Sequence, residues 1–168
     1  MMGKLNLFDC DRKALESYFS DIGEKSFRAH QLLKWIYQHG VINIESMSNL
    51  SNDLRAYLKE NTSVKLPEII TEKKSKDGTK KWLIKVDEKN SIETVFIPEN
   101  DRGTLCISTQ VGCALDCKFC STAQQGFSRN LTTSEIIGQV WVANKILGHF
   151  ENGKRMITNI VFMGMGEP

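Results

Sequence analysis

The chain has 168 residues and a formal net charge of +2, with 40% of its positions hydrophobic and 25% charged. Those fractions suit a globular protein and exclude disordered, collagen-like and low-complexity chains. No run approaches the roughly 18 apolar residues of a membrane-spanning helix, and the start Met1-Met2-Gly3-Lys4-Leu5-Asn6 lacks the charged-then-apolar order of a secretory signal, so a cytoplasmic protein without membrane contact is expected.

Residues 1–66 read as a three-helix module. Asp11 precedes a segment in which Leu15, Tyr18, Phe19 and Ile22 fall at helical spacing, and Gly23 follows it. Ser26 opens a second run with Ala29, Leu33, Ile36 and Tyr37 on one stripe, closed by Gly40. A third helix carries Leu50, Leu54, Tyr57 and Leu58.

The period changes from 3.6 to 2 in residues 67–102. Glu68–Ser75, Lys80–Val86 and Ser91–Ile97 are rich in strand formers, with Asp77-Gly78 between the first two and Asp87-Glu88-Lys89-Asn90 between the last two. A three-stranded antiparallel meander linking the flanking parts is expected. Lys73, Lys74, Lys76, Lys80 and Lys81 crowd its first turn, with Asp77 the lone opposing charge. Such a run is either a solvated hairpin tip or a ribbon that meets phosphates.

Residues 103–168 switch to βαβ. Thr104–Thr109 is a strand candidate, Thr132 and Glu135 form a capping-box signature before a helix bearing Ile136, Val140, Ala143 and Leu147, and Ile157–Met163 reads as a buried strand. The fold class is therefore an α+β N-terminal part, a three-helix module plus a meander, followed by the start of an α/β, TIM-like barrel. A complete barrel needs about 250 residues, so the barrel-like part is expected to be incomplete. It is also expected to leave a two-stranded parallel sheet with open edges.

Five cysteines, an odd number in a reducing compartment, argue against a disulfide framework and for metal or thiol chemistry. Cys113, Cys117 and Cys120 are spaced C-x3-C-x2-C on a loop after the first barrel strand. Three thiolates can hold three corners of a cubane iron–sulfur cluster and leave one iron open to a small molecule. A structural zinc would want a fourth ligand, and His30, His39 and His149 all lie far along the chain; plain buried thiols are the third reading. The second strand runs into Gly164-Met165-Gly166-Glu167-Pro168, whose glycines let a ligand approach the backbone and whose Glu167 can accept from an ammonium group. Cys106 reads by itself as a small core residue on a strand. Alternation places Glu93 with Val95 and Ile97; if that face is buried, its pKa rises toward that of a base working near neutral pH.

The cysteine loop resembles the signature of the radical S-adenosylmethionine enzymes, and Gly164–Pro168 resembles their methionine-binding motif. Leu105-Cys106-Ile107-Ser108-Thr109-Gln110-Val111-Gly112-Cys113, Ser121-Thr122-Ala123-Gln124-Gln125-Gly126-Phe127 and Arg129-Asn130-Leu131 are similar to the bacterial dual-specificity RNA methyltransferases of adenine carbon 2, as are Phe27-Arg28-Ala29 and Lys34-Trp35-Ile36-Tyr37. Gln124-Gln125-Gly126-Phe127 favours them over relatives that modify carbon 8. The resemblance implies a radical-SAM barrel, a 4Fe–4S cluster on Cys113, Cys117 and Cys120, and S-adenosylmethionine contacted by Gly166 and Glu167 with Phe119 lining its adenine. It further implies Glu93 as proton acceptor and Cys106 as the thiol that releases RNA through a transient disulfide. The implied partners are 23S ribosomal RNA, transfer RNA near the anticodon and an external electron donor, and the implied state is a monomer.

The cysteine that carries the methyl group in this family has no counterpart here; Cys10 matches no motif and reads as a passive thiol. The chain alone is therefore expected not to complete methyl transfer. The alternative is a short, non-catalytic RNA-binding module with an iron–sulfur cluster or a structural zinc.

Overall fold

The computed structural model describes residues 4–100, 102–115 and 117–167. Met1-Met2-Gly3 of the N-terminal reading, Asp116 of the cysteine loop and Pro168 of the glycine-rich end lie outside the described residues. The chain divides into two units, Met1–Lys65 and Leu66–Pro168.

In the first unit a short strand β1 (Leu5–Asn6) pairs in parallel with β2 (Thr62–Ser63), around helices α1 (Arg12–Asp21), α2 (Phe27–Tyr37) and α3 (Asn52–Asn61). The Asp11 carboxylate accepts from the Ala14 N–H at 2.7 Å and so satisfies one of the free donors at the start of α1. Ser26 has helical backbone angles and makes no such side-chain bond. Helix α2 buries Ala29, Leu32 and Ile36, a sharper stripe than the expected one through Leu33 and Tyr37. The i, i+3, i+7 positions point straight inward, and Tyr37 at i+8 lies on the flank with 37% exposure. Ser51 caps α3 through the Leu54 N–H, so buried Leu50 precedes the helix instead of belonging to it.

In the second unit β3 (Glu68–Lys74), β4 (Lys80–Lys85), β5 (Ser91–Pro98), β6 (Gly103–Cys106) and β9 (Asn159–Val161) form one five-stranded sheet in the order β3-β4-β5-β6-β9. The first turn uses Gly78 at φ 88° and the Asp77 carboxylate accepting from the Thr79 N–H at 3.0 Å. Its lysines are better opposed than the sequence suggested: Lys80 pairs with Glu72 at 3.5 Å and Lys81 with Glu93 at 2.8 Å. Cross-strand neighbours in a sheet are distant in sequence, which is why they escaped a linear count.

Strand β6 pairs antiparallel with β5 and parallel with β9. The meander and the parallel pair are thus one sheet, and β6 is an interior strand rather than half of a sheet open on both sides. The expectation that the last strand is buried fails: β9 is an edge, Ile160 is 43% exposed, and Phe162 and Met163 beyond it are more open still. Strand β6 stops at Cys106, short of Thr109; β7 (Gln110–Gly112) then pairs with β8 (Phe127–Asn130), a hairpin-like closure that brackets the cysteine loop.

Between these strands lie α4 (Ser121–Gln124), α5 (Thr133–Ile146) and α6 (His149–Asn152). The capping box at α5 is formed in both directions, with Glu135 accepting from the Thr132 N–H at 2.8 Å. Helix α5 covers the sheet face that carries Trp82, Ile84, Ile92, Phe96 and Leu105, and these with Ile107, Val111, Leu131, Ala143, Ile157 and Met165 form the core of the unit. Arg129 on β8 fastens the periphery, gripping Glu135 with two bonds of 2.8 Å and Asp87 of the β4–β5 turn with one of 2.7 Å. Among the described residues no helix is long and apolar enough to cross a membrane.

Candidate active site

Strand β5 alternates cleanly. Ile92, Thr94 and Phe96 point into the core under α5, so Glu93, Val95 and Ile97 occupy the opposite face. The β5–β6 register sets Val95 directly opposite Cys106, and directly paired residues project to the same side. Glu93 and Cys106 therefore share one face of the sheet, on either side of Val95. From β4, Lys81 reaches across and its ammonium lies 2.8 Å from Glu93 Oε1. A cavity of about 200 Å³ opens there, lined by Thr71, Lys73, Lys81, Leu83 and Glu93.

The condition for a raised Glu93 pKa is not met: its face is open, and its side chain is 46% exposed and ion-paired. Val95 and Ile97 made that face look like a core face, but the packing of α5 decides which side is covered. Cys106 is half-buried, and burial pushes its thiol pKa up, with a backbone hydrogen bond from Met163 pulling the other way. At neutral pH it is a protonated thiol, in reach of the backbone of the glycine-rich end.

The cysteine loop is tied at its base. Gly112 and Gly126 both take positive φ, 76° and 74°, and the Cys113 N–H donates to the Gly126 carbonyl at 3.2 Å. Cys120 is the residue before α4, where the backbone N–H groups of Ala123 and Thr122 point at its sulfur and hold its pKa below that of an ordinary thiol. Cys113 Sγ accepts from the Leu115 N–H at 3.4 Å. All three thiols are free and partly accessible. Among the described residues no three Cys, His, Asp or Glu side chains already converge as a metal-binding group. The donor chemistry nonetheless suits a thiolate-held cluster: three free sulfurs on one loop, one of them turned toward thiolate by backbone amides. Phe119, expected to line a cofactor, is 93% exposed between Cys117 and Cys120.

The glycine-rich end folds back on the chain. Gly164 N–H donates to the Ile107 carbonyl at 3.1 Å, and the Met165 carbonyl receives the N–H groups of Thr109 and Gln110 at 2.9 and 3.1 Å. A Cβ on Gly164 would sit 2.7 Å from the Ile107 carbonyl oxygen, and one on Gly166 would sit 2.9 Å from the Gln110 nitrogen. The close approach these glycines permit is thus first of all to residues 107–110. Glu167 is exposed, and its carbonyl accepts from Gln110 Nε2 at 3.2 Å. Cys10 lies in the other unit, with a thiol pKa raised by burial and then by Asp9 and Asp11.

Two residues at this junction went unread. Ser108 and Gln139 are fully buried polar side chains. The available signal was a glutamine on the inner side of a helix, one residue before Val140 in the apolar run.

The chain's fold resembles that of a crystallised radical SAM methyltransferase from Sphaerobacter thermophilus, with a TM-score of 0.85 and 36% identity over 98% of this chain and 48% of that one. Residues 5–64 match the family described as the ribosomal RNA large subunit methyltransferase N-terminal domain. Two curated relatives, each titled dual-specificity RNA methyltransferase RlmN, come from Alkalilimnicola ehrlichii and Marinobacter nauticus; they are 58% and 52% identical over 98% of this chain and 45% of their own length. Over nearly its whole length the chain is thus similar to relatives titled dual-specificity RNA methyltransferase and to a radical SAM methyltransferase. It spans about half the length of the curated relatives it matches.

Proposed function

We propose that this chain supplies the cluster-binding and RNA-binding part of a methyltransferase that acts on carbon 2 of adenosine in 23S ribosomal RNA and in transfer RNA near the anticodon. The observation that carries this reading is the placement of Glu93 on β5 and Cys106 on neighbouring β6 on one sheet face, with the chain running on from β6 through β7 to the three-cysteine loop. Cys113, Cys117 and Cys120 would hold the 4Fe–4S cluster, and Gly166, Glu167 and Phe119 would contact S-adenosylmethionine. When bound, the cluster and S-adenosylmethionine supply reductive cleavage and removal of a hydrogen atom from a methyl group, using an external electron donor.

The chain's own residues act on either side of that chemistry. Glu93, ion-paired with Lys81, takes the proton that leaves adenine carbon 2. Cys106 gives up its proton and attacks the sulfur that carries the methylene. A sulfur–sulfur bond forms, the electron pair of the breaking carbon–sulfur bond goes to the methylene carbon, that carbon takes up a proton to become the methyl group, and the RNA is released. A thiol protonated at rest is spared premature oxidation and needs a local base; Glu93 stands on the same sheet face, diagonally across from it on β5.

RNA would be held by the first unit and by exposed Lys73 and Lys74 at the end of β3 and Lys76 on the β3–β4 turn, with the protein a monomer. Converting those three lysines to glutamine is expected to weaken binding to all RNA sequences alike and to flatten the slope of log K against log salt by about 2. A sequence-selective loss would point to base contacts.

Anaerobic reconstitution of the chain tests the main reading. About four irons per chain with charge-transfer absorption are expected, together with RNA binding and no 2-methyladenosine by mass spectrometry. One tightly held zinc and no colour would instead make the loop a structural site in a non-catalytic RNA-binding module. Robust methylation by the chain alone would refute the expectation that it does not complete methyl transfer by itself.

A further inference from the structure

Ser108 lies between Cys106 and the cysteine loop, outside any strand and fully buried. Its hydroxyl donates to the Glu93 carbonyl at 2.6 Å and accepts from the Met165 N–H at 2.9 Å. Its own peptide is gripped by a side chain from α5. Gln139 Oε1 accepts from the Ser108 N–H at 2.9 Å and Nε2 donates to the Ser108 carbonyl at 2.9 Å, the two-bond pattern that a neighbouring strand would otherwise provide. The same oxygen accepts from Thr94 Oγ1 at 2.7 Å, and Nε2 also donates to the Glu135 carbonyl at 3.2 Å. Every polar group of this cluster is paired inside a region closed to water, so it has one low-energy arrangement.

The cluster joins three pieces that carry separate parts of the candidate site: Glu93 on β5, the segment from Cys106 to Cys113, and the turn at Gly164–Glu167. We infer that Ser108 and Gln139 are positioning residues, which lock the Gly164–Glu167 turn and the Glu93 strand to the base of the cysteine loop so that a ligand held by the turn faces the loop. This inference rests on the proposed function, because it takes the turn as the S-adenosylmethionine contact. An all-apolar junction would pack as tightly but would leave the Met165 N–H unpaired; the Ser108 hydroxyl satisfies it and adds a directional bond to the backbone bonds that already hold the turn against residues 107–110.

Ser108→Ala removes two bonds while keeping nearly the same volume. In the anaerobically reconstituted chain we expect it to keep wild-type iron content. Titration of S-adenosylmethionine, followed by its shift of the reduced cluster's electron paramagnetic resonance signal, should show a midpoint at least tenfold higher. Ser108→Thr, which keeps the hydroxyl, should restore the midpoint, and Gln139→Met should raise it. A Ser108→Ala midpoint within twofold of wild type would overturn the inference alone. Loss of iron in that variant, or a threonine variant as weak as alanine, would assign the effect to packing and overturn it as well. A wild-type chain whose cluster signal ignores S-adenosylmethionine would remove the reading of the turn, and this inference with it.

Discussion

Cys120→Ala is expected to lower iron uptake in anaerobic reconstitution from about four atoms per chain to fewer than one, with loss of the brown charge-transfer absorption. Two thiolates cannot close three corners of a cubane, and among the described residues no carboxylate or imidazole stands grouped with them as a substitute. Cys120→Ser separates ligation from local structure. An oxygen there still accepts from the backbone at the start of α4, so the loop keeps its shape, while a neutral hydroxyl is a poor iron ligand. Similar circular dichroism for the two variants, with iron lost in both, is the expected outcome. Iron retained by Cys120→Ala would remove this residue from the ligand set. The metal-free chain gives a companion readout. The N–H groups of Ala123 and Thr122 stabilise the Cys120 thiolate, whereas burial disfavours that of Cys106. As pH rises, alkylation followed by peptide mass spectrometry should label Cys120 earlier than Cys106, with the midpoint for Cys120 below that of an ordinary free thiol.

Gly112→Ala should be among the most damaging single changes in the second unit, costing on the order of 3 kcal/mol or more. Gly112 has φ 76°, and an added Cβ would overlap the carbonyl oxygen of Gly126, a backbone atom that cannot swing aside. That carbonyl also receives the Cys113 N–H, so relief of the clash must open the closure of β7 on β8 at the point where the cysteine loop begins. Gly153→Ala is the matched control: its φ is 68°, nothing lies within 4 Å of the new Cβ, and the cost should be only the roughly 1–2 kcal/mol of left-handed backbone. Because the chain has two units, one melting temperature is the wrong readout. Amide hydrogen exchange on Val111, Cys113 and Arg129 should rise sharply for Gly112→Ala and stay near wild type for Gly153→Ala.

Local signals were read well where the physics is local. The Asp77-Gly78 turn, the Thr132–Glu135 box and the Asp11 cap each involve groups within three residues of one another, and the structure forms all three. Glu93 shows the limit. Alternation tells which residues share a face but not which face a later helix will cover, and the covered face proved to be that of Ile92, Thr94 and Phe96. The same cause hid the edge position of β9 and the partners of Lys80 and Lys81, which depend on register between strands far apart in sequence. In the candidate site the three cysteines announced themselves by spacing. Ser108 and Gln139 did not, because their meaning lies in hydrogen bonds spanning 31 residues. The glycines at 164 and 166 were noticed for the right property, closeness of approach, though the structure brings the chain's own residues 107–110 up against them.

The outer edge of β9 has a bearing on how the chain behaves in concentrated solution. Among the described residues Asn159, Ile160 and Val161 have a strand neighbour on the β6 side alone, and the adjoining Phe162 and Met163 add exposed apolar surface to the same seam. The stretch from Asn159 to Met163 has no charge and no proline, the two devices by which proteins commonly keep an open strand from recruiting another. Its shortness is the remaining safeguard, since three residues offer few backbone bonds to an incoming chain. The seam is therefore the place on the second unit where a foreign strand would add most readily.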